Sequence, residues 1–203
     1  MTYFVTFRLA DSITAEKFLY WKQQREKWLA ENPEPHTSEQ KKAYHKRFST
    51  MFEAWLDQGI GTCLLKIPEC RRLVTATLKD DDGIRYSLGM FVVASNHVHA
   101  LVTPNAHNEI ADILQSWKSN TAKEIVKLKE PCDLMNDWWK DLHQRRKDAA
   151  RRNPLERASE LPFLRPVWQK ENVEHKMRSE DSQKRYEEYI RNHHEWQDAA
   201  FTT

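Results

Sequence analysis

His97-Val98-His99 lies inside a run of apolar, β-branched residues. Side chains of a strand alternate between its two faces, so both imidazoles leave one side while Val98 points to the other. Twice the rise of a strand separates their Cα atoms by about 6 to 7 Å, close enough for two neutral imidazoles to share one divalent ion. Satisfied or exposed strand histidines are the plainer alternative. Burying both without a metal or an acidic partner would be costly, which favours ligation. Two ligands do not complete a site, and the best source of a third is the end of the chain. There Tyr189 and His193 stand four residues apart and share a face if the segment is helical. Should that face cover the histidine strand, His193 completes the metal shell with the Tyr189 hydroxyl beside it. A phenol is a poor nucleophile near neutral pH and needs activation or a strongly polarised electrophile. A phosphodiester held against a divalent ion is such an electrophile. Attack by tyrosine on it would leave a covalent phosphotyrosine and a free 3′ hydroxyl, conserving the bond energy for rejoining.

The elements that must position these groups can be read from periodicity and punctuation. Tyr3 to Leu9 is β-branched and aromatic and predicts an opening strand. Thr14 to Ala30 and Ser38 to Gln58 carry aromatic residues at helical spacing, separated by Asn32-Pro33-Glu34-Pro35. Leu73 to Leu78 fits either a helix or a short strand. Tyr86 to Val93 and His97 to Thr103, joined by Ala94-Ser95-Asn96, predict an antiparallel hairpin. Glu109 to Leu128 has apolar residues at spacings of three, four and seven, a helix that Pro131 should stop. Asp133 to Glu160 is polar and poorly periodic, a helical or loose insertion. A last helix is expected from about Glu180 to Asn192, with Tyr186, Tyr189 and Ile190 on one face. Together these describe an α+β fold, a ferredoxin-like antiparallel sheet with helices packed on one face and helical insertions, forming one domain over 1–203.

Composition narrows the setting. The chain has 203 residues, 31% of them charged, a formal net charge of +2 and only four glycines. No apolar run reaches the roughly 18 residues that span a bilayer, and the N-terminus lacks the pattern of a signal peptide. A cytoplasmic protein with no membrane partner is the expectation. Cys63, Cys70 and Cys132 match no zinc-ribbon spacing, so reduced thiols are expected. Charge is unevenly spread: from Lys140 to Arg178 eleven basic residues face six acidic ones, a net of +5, which leaves −3 for the rest. Such a basic segment suits a polyanion such as nucleic acid, with a solvated helical face as the plainer reading.

Several blocks together resemble a known family. These are Asn96-His97-Val98-His99-Ala100-Leu101-Val102-Thr103-Pro104, Ser116-Trp117-Lys118-Ser119-Asn120-Thr121-Ala122, Val167-Trp168-Gln169, His175-Lys176-Met177-Arg178 and Tyr186-Glu187-Glu188-Tyr189-Ile190. Their order and spacing, from about Tyr86 to Asn192, resemble the single-tyrosine transposases of the histidine-hydrophobic-histidine (HUH) superfamily, and within it the REP-associated tyrosine transposases. The resemblance implies His97 and His99 as ligands of Mg²⁺ or Mn²⁺ and Tyr189 as the nucleophile on single-stranded DNA, cutting at sites next to DNA hairpins, as a monomer or homodimer. Tyr186, one turn earlier, is the competing nucleophile. The chain departs from the family at Ser95, where many members have proline, and at His193-His194, where they have Asn-Pro. His193 is accordingly either the third ligand or an exposed helix-end histidine. Segments of about 14–45 and 133–160 stand as insertions relative to the family core.

Candidate DNA contacts are Trp117 and Trp168, which could stack on bases or lie in the core, and Lys118, Arg165, Lys170 and Arg178 along the strand's path. His175 could help order the site. Two other functions are weighed beside the transposase: a single-stranded DNA-binding protein that does not cut, and a replication initiator or relaxase, for whose usual extra domains 203 residues leave little room. Structural zinc binding by the histidines is a third reading, and it requires that metal removal unfold the protein.

Overall fold

The computed structural model describes residues 1–152 and 166–193. Its order is β1 (Tyr3–Arg8), α1 (Ala15–Glu31), α2 (Ser38–Tyr44), α3 (Thr50–Leu56), α4 (Pro68–Asp80), β2 (Tyr86–Val93), β3 (His97–Pro104), α5 (Ile110–Ile125), α6 (Lys129–Arg152), β4 (Val173–Lys176) and α7 (Glu180–Arg191). The strands form one open sheet in the order β2-β3-β1-β4, with every neighbouring pair antiparallel. Helical crossovers carry the chain from β1 to β2 and from β3 to β4. This is the interleaved α+β topology expected of a ferredoxin-like fold.

Alternation along the strands divides the molecule into two layers. Val5, Phe7, Phe91, Val93, Val98, Ala100 and Val102 face α4 and α5, where Cys70, Val74, Leu78, Ile113, Leu114 and Trp117 complete the main core. Burying each such large apolar side chain contributes about 1.5 to 3 kcal/mol. The opposite face carries Phe4, Val92 and Leu101, and α7 packs on it through Tyr186 and Ile190, joined by Met177. Helices α4 and α5 thus share one face, and the last helix covers the face that bears the histidines. A third apolar cluster, of Ile13, Trp21, Trp28, Phe48, Phe52 and Leu56, joins α1 to the α2–α3 segment.

Local chemistry explains where the elements depart from expectation. Leu73 to Leu78 belongs to α4, which opens with Pro68 in its first turn and buries Cys70, Val74 and Leu78 one turn apart. Ser38 to Gln58 is helical but interrupted by a π-helical turn at His45–Ser49, where the Phe48 carbonyl accepts a hydrogen bond from Trp21 Nε1 at 3.1 Å. Pro131 does not end α5, which stops at Ile125. It sits in the first turn of α6, where its missing N–H has no intrahelical partner to lose. The short edge strand β4 was not expected, since its four residues alternate only between half-buried and exposed. Asp133 to Arg152 is helical as part of α6, whereas 153–165 and 194–203 lie outside the described residues.

Candidate metal centre and nucleophile

The histidine strand is central in the sheet. β3 pairs with β1 on one side, setting Thr6 opposite His99 and Arg8 opposite His97, and with β2 on the other, setting Val92 opposite His99. Both imidazoles are fully buried, and their ring centroids are 4.5 Å apart. Helix α7 begins at Ser179, whose hydroxyl accepts from the Ser182 N–H, and is held to the sheet by Ile190 and by the Tyr186 ring stacked 4.2 Å from Phe4. Just past its end, the His193 N–H donates to the Ile190 carbonyl, so the tight final turn directs His193 inward. His193 is buried, with its ring 5.3 Å from His97 and 5.7 Å from His99. One ligand nitrogen from each of the three histidines lies within 4.8 Å of the other two. The Tyr189 hydroxyl is hydrogen-bonded to His99 Nε2 at 3.3 Å.

Oxygen atoms orient the two strand histidines from behind. The Asn96 amide nitrogen donates to the carbonyls of Leu56 (3.1 Å) and Ile60 (3.2 Å), so its Oδ1 is the atom that meets His97 Nδ1 at 2.8 Å. His97 must then carry its proton on Nδ1, which leaves the Nε2 lone pair for a metal. Thr6 Oγ1 is hydrogen-bonded to His99 Nδ1 at 2.7 Å. Burial, reinforced by His97 and then His193, keeps the His99 pKa well below the ordinary 6.5, so its imidazole is neutral at pH 7 and able to ligate. Three buried imidazoles, two of them oriented by oxygen partners, are a donor set that fits a divalent ion.

The nucleophile candidate has the opposite bias. Burial, followed by the carboxylates of Glu53 and Asp57 and by Tyr186, raises the Tyr189 phenol above its ordinary value near 10. At rest it is protonated. Burial and the neighbouring Asp57 push the Glu53 carboxyl up to about 7. Asp57 itself lies 3.5 Å from His193 Nε2. Tyr186, the competing phenol, is buried in the layer between Phe4 and His175, and burial with Glu53 pushes its pKa up to about 12.

The expected DNA contacts divide differently from the sequence reading. Trp117 and Trp168 are core residues and cannot stack on bases: Trp117 Nε1 donates to the Tyr86 hydroxyl and Trp168 Nε1 to Thr121 Oγ1, both at 2.8 Å. Lys118 is also turned inward. Its Nζ donates to the carbonyls of Gln169 (3.1 Å) and Lys170 (2.8 Å) and to Asn172 Oδ1 (2.9 Å), tying α5 to the segment before β4. All three sit on the crossover side of the sheet, where packing claims them. Lys170 and Arg178 are exposed, and Arg165 lies outside the described residues. His175 stacks with Tyr186 and Phe4, and Phe4 stacks in turn on His99 at 5.2 Å, so an aromatic layer runs from β4 to the histidine pair. Thr6, Asn96 and Asp57 were not given roles from the sequence, although Asn96 opens the block that contains the histidine pair and Thr6 shares a strand face with Phe4 and Arg8.

No helix among the described residues is long and apolar enough to cross a membrane. No protein-family model and no curated protein sequence matches the chain. Among solved structures, the chain is similar to a REP-associated tyrosine transposase bound to a REP hairpin, at 12% identity and a TM-score of 0.37, over 96% of this chain and 68% of that one.

Proposed function

We propose that this chain is a metal-dependent tyrosine transposase of single-stranded DNA, which cuts and rejoins strands next to hairpins of the REP type through a 5′ phosphotyrosine on Tyr189. The observation that carries the reading is the Tyr189 hydroxyl at 3.3 Å from His99 Nε2, at the edge of a buried cluster of three imidazoles. His97, His99 and His193 would hold Mg²⁺ or Mn²⁺, which supplies polarisation of a phosphodiester oxygen and neutralises charge that builds up in the transition state.

The remaining work belongs to the chain's own residues. Asn96 and Thr6 fix the strand imidazoles, and the Phe4–Tyr186 stack fixes the helix that carries the phenol. Such rigid positioning lowers the entropic part of the barrier. The Tyr189 oxygen forms a bond to phosphorus as the bond from phosphorus to the 3′ oxygen breaks; the phenol gives up its proton and the departing 3′ oxygen gains one. The phosphoryl group stays on Tyr189, and a second 3′ hydroxyl can reverse the step on a different strand. Because burial and nearby carboxylates keep the phenol protonated, the free protein holds no phenolate to react with chance electrophiles. Lys170, Arg178 and the basic segment around them supply sequence-independent affinity that weakens with salt.

Incubation of end-labelled, hairpin-flanked single strands with Mn²⁺ tests the reading. Wild type and Tyr186→Phe should give a protein–DNA adduct stable to denaturant, and Tyr189→Phe none. Retention of the strand with no adduct from wild type would identify a binding protein that does not cut.

A further inference from the structure

Each strand histidine has an oxygen partner behind it, Asn96 for His97 and Thr6 for His99. Near His193 stands a carboxylate, in a segment far away in sequence. Asp57 caps the C-terminus of α3, its N–H bonded to the Glu53 carbonyl, and its Oδ1 lies 3.5 Å from His193 Nε2. This helix end is fixed to the site independently of that contact. The Leu56 carbonyl, one residue before Asp57, and the Ile60 carbonyl, three after it, both accept from the Asn96 amide that orients His97. One short segment, 56–60, thus supports two of the three imidazoles. The His193 side chain is 2% exposed and that of Asp57 38%, so the carboxylate keeps part of its hydration while meeting a buried ring.

We propose that Asp57 is a positioning residue of the metal site: its carboxylate holds one ring nitrogen of His193 so that the other is presented to the ion. The inference rests on the metal-site reading above and extends it to the helical segment before the hairpin. A carboxylate behind a ligating imidazole fixes its tautomer and ring orientation and raises its basicity, and losing such a partner typically weakens metal affinity about 10- to 100-fold. It also places a carboxylate beside a site whose ligands are all imidazoles.

The test is titration of the full chain with Mn²⁺ alone, read by calorimetry, for wild type, Asp57→Asn, Asp57→Ala and His97→Ala. Thermal melting and the ¹⁵N shifts of the metal-free histidine side chains are recorded in parallel. Wild type should bind one ion, and Asp57→Ala should bind it about 10- to 100-fold more weakly while melting with wild type. Asp57→Asn, which keeps an acceptor oxygen but not the charge, should fall between them, and in both variants the His193 nitrogen shifts should move while those of His97 stay. Wild-type affinity in both Asp57 variants, or unchanged His193 shifts, overturns the role of Asp57 and leaves the metal site standing. Failure of wild type to bind, or binding that survives His97→Ala, overturns the metal site and the role of Asp57 with it.

Discussion

At the residue scale the site is a set of buried rings made useful by what stands behind them. Thr6→Val keeps the shape of the side chain but removes the hydroxyl 2.7 Å from His99 Nδ1. Calorimetric titration should show Mn²⁺ affinity reduced by about 10- to 100-fold, and unchanged affinity would mean that packing alone orients the ring. His175 provides a pH signature away from the ligands. Burial, then His45 and Arg25, lower its pKa to about 4 from 6.5. The unfolded chain therefore binds more protons between those values, so the His175 contribution is present above about pH 6.5 and is lost as the pH falls toward 4, by up to about 3 kcal/mol. Glu53, raised to about 7, works in the opposite direction, favouring the fold as pH falls from 7 to 4.5. The check is therefore the difference between urea denaturation of wild type and of His175→Phe: the advantage of wild type should shrink from pH 7 to pH 4. The paired histidines and Tyr189 were legible because strand alternation and helical spacing determine which side chains share a face. Asp57 was not, because an aspartate at a helix end is ordinary until the fold brings it to His193. For Trp117 and Trp168 the core alternative holds, and Lys118 too is turned inward; spacing reveals that residues share a face but not whether that face meets solvent or sheet.

At the element scale the hairpin and its neighbours do the positioning, and the turn at 59–61 has an outsized share. Ile60 lies between two glycines with positive φ, and its carbonyl accepts from Asn96. At Gly61, with φ +96°, a Cβ would come within 2.7 Å of Asp11, whose carboxylate accepts the Thr62 N–H at 2.7 Å. Gly61→Ala should therefore destabilise the protein by about 1 to 3 kcal/mol in denaturant unfolding and weaken metal binding through Asn96; a neutral effect on both would show that the turn does not support the site. The long elements were readable from their periodicity, α5 and the hairpin most clearly. Strand β4 was not, since an edge strand of four residues needs only one protected face and leaves no apolar run. Pro131 misled because proline breaks a helix in its interior yet is accepted in a first turn, and sequence alone does not say which end it marks.

At the scale of the whole molecule, the apolar clusters are complete without the histidines. The main core lies on the opposite side of the sheet, and α7 is held by Phe4, Leu101, Tyr186 and Ile190. Chelation of metal should accordingly abolish cleavage while lowering the melting temperature by no more than about 10 °C, as expected for loss of a ligand from an already folded chain. Unfolding on chelation would instead mark a structural zinc site. The overall architecture was legible from the order of elements, because a strand, a long helical crossover, a hairpin and a second crossover admit few sheets. The helical cluster of α1 to α3 was visible as helices, but its approach to the histidines was not, because that depends on contacts between segments distant in the chain. The most direct measurement of the central claim is proteolysis of the covalent DNA adduct followed by mass spectrometry of the modified peptide. The expected result is a 5′ phosphotyrosine on Tyr189, formed only when His97, His99 and His193 are all present; an adduct on Tyr186, or none from the metal-loaded wild type on a hairpin-flanked strand, would contradict it.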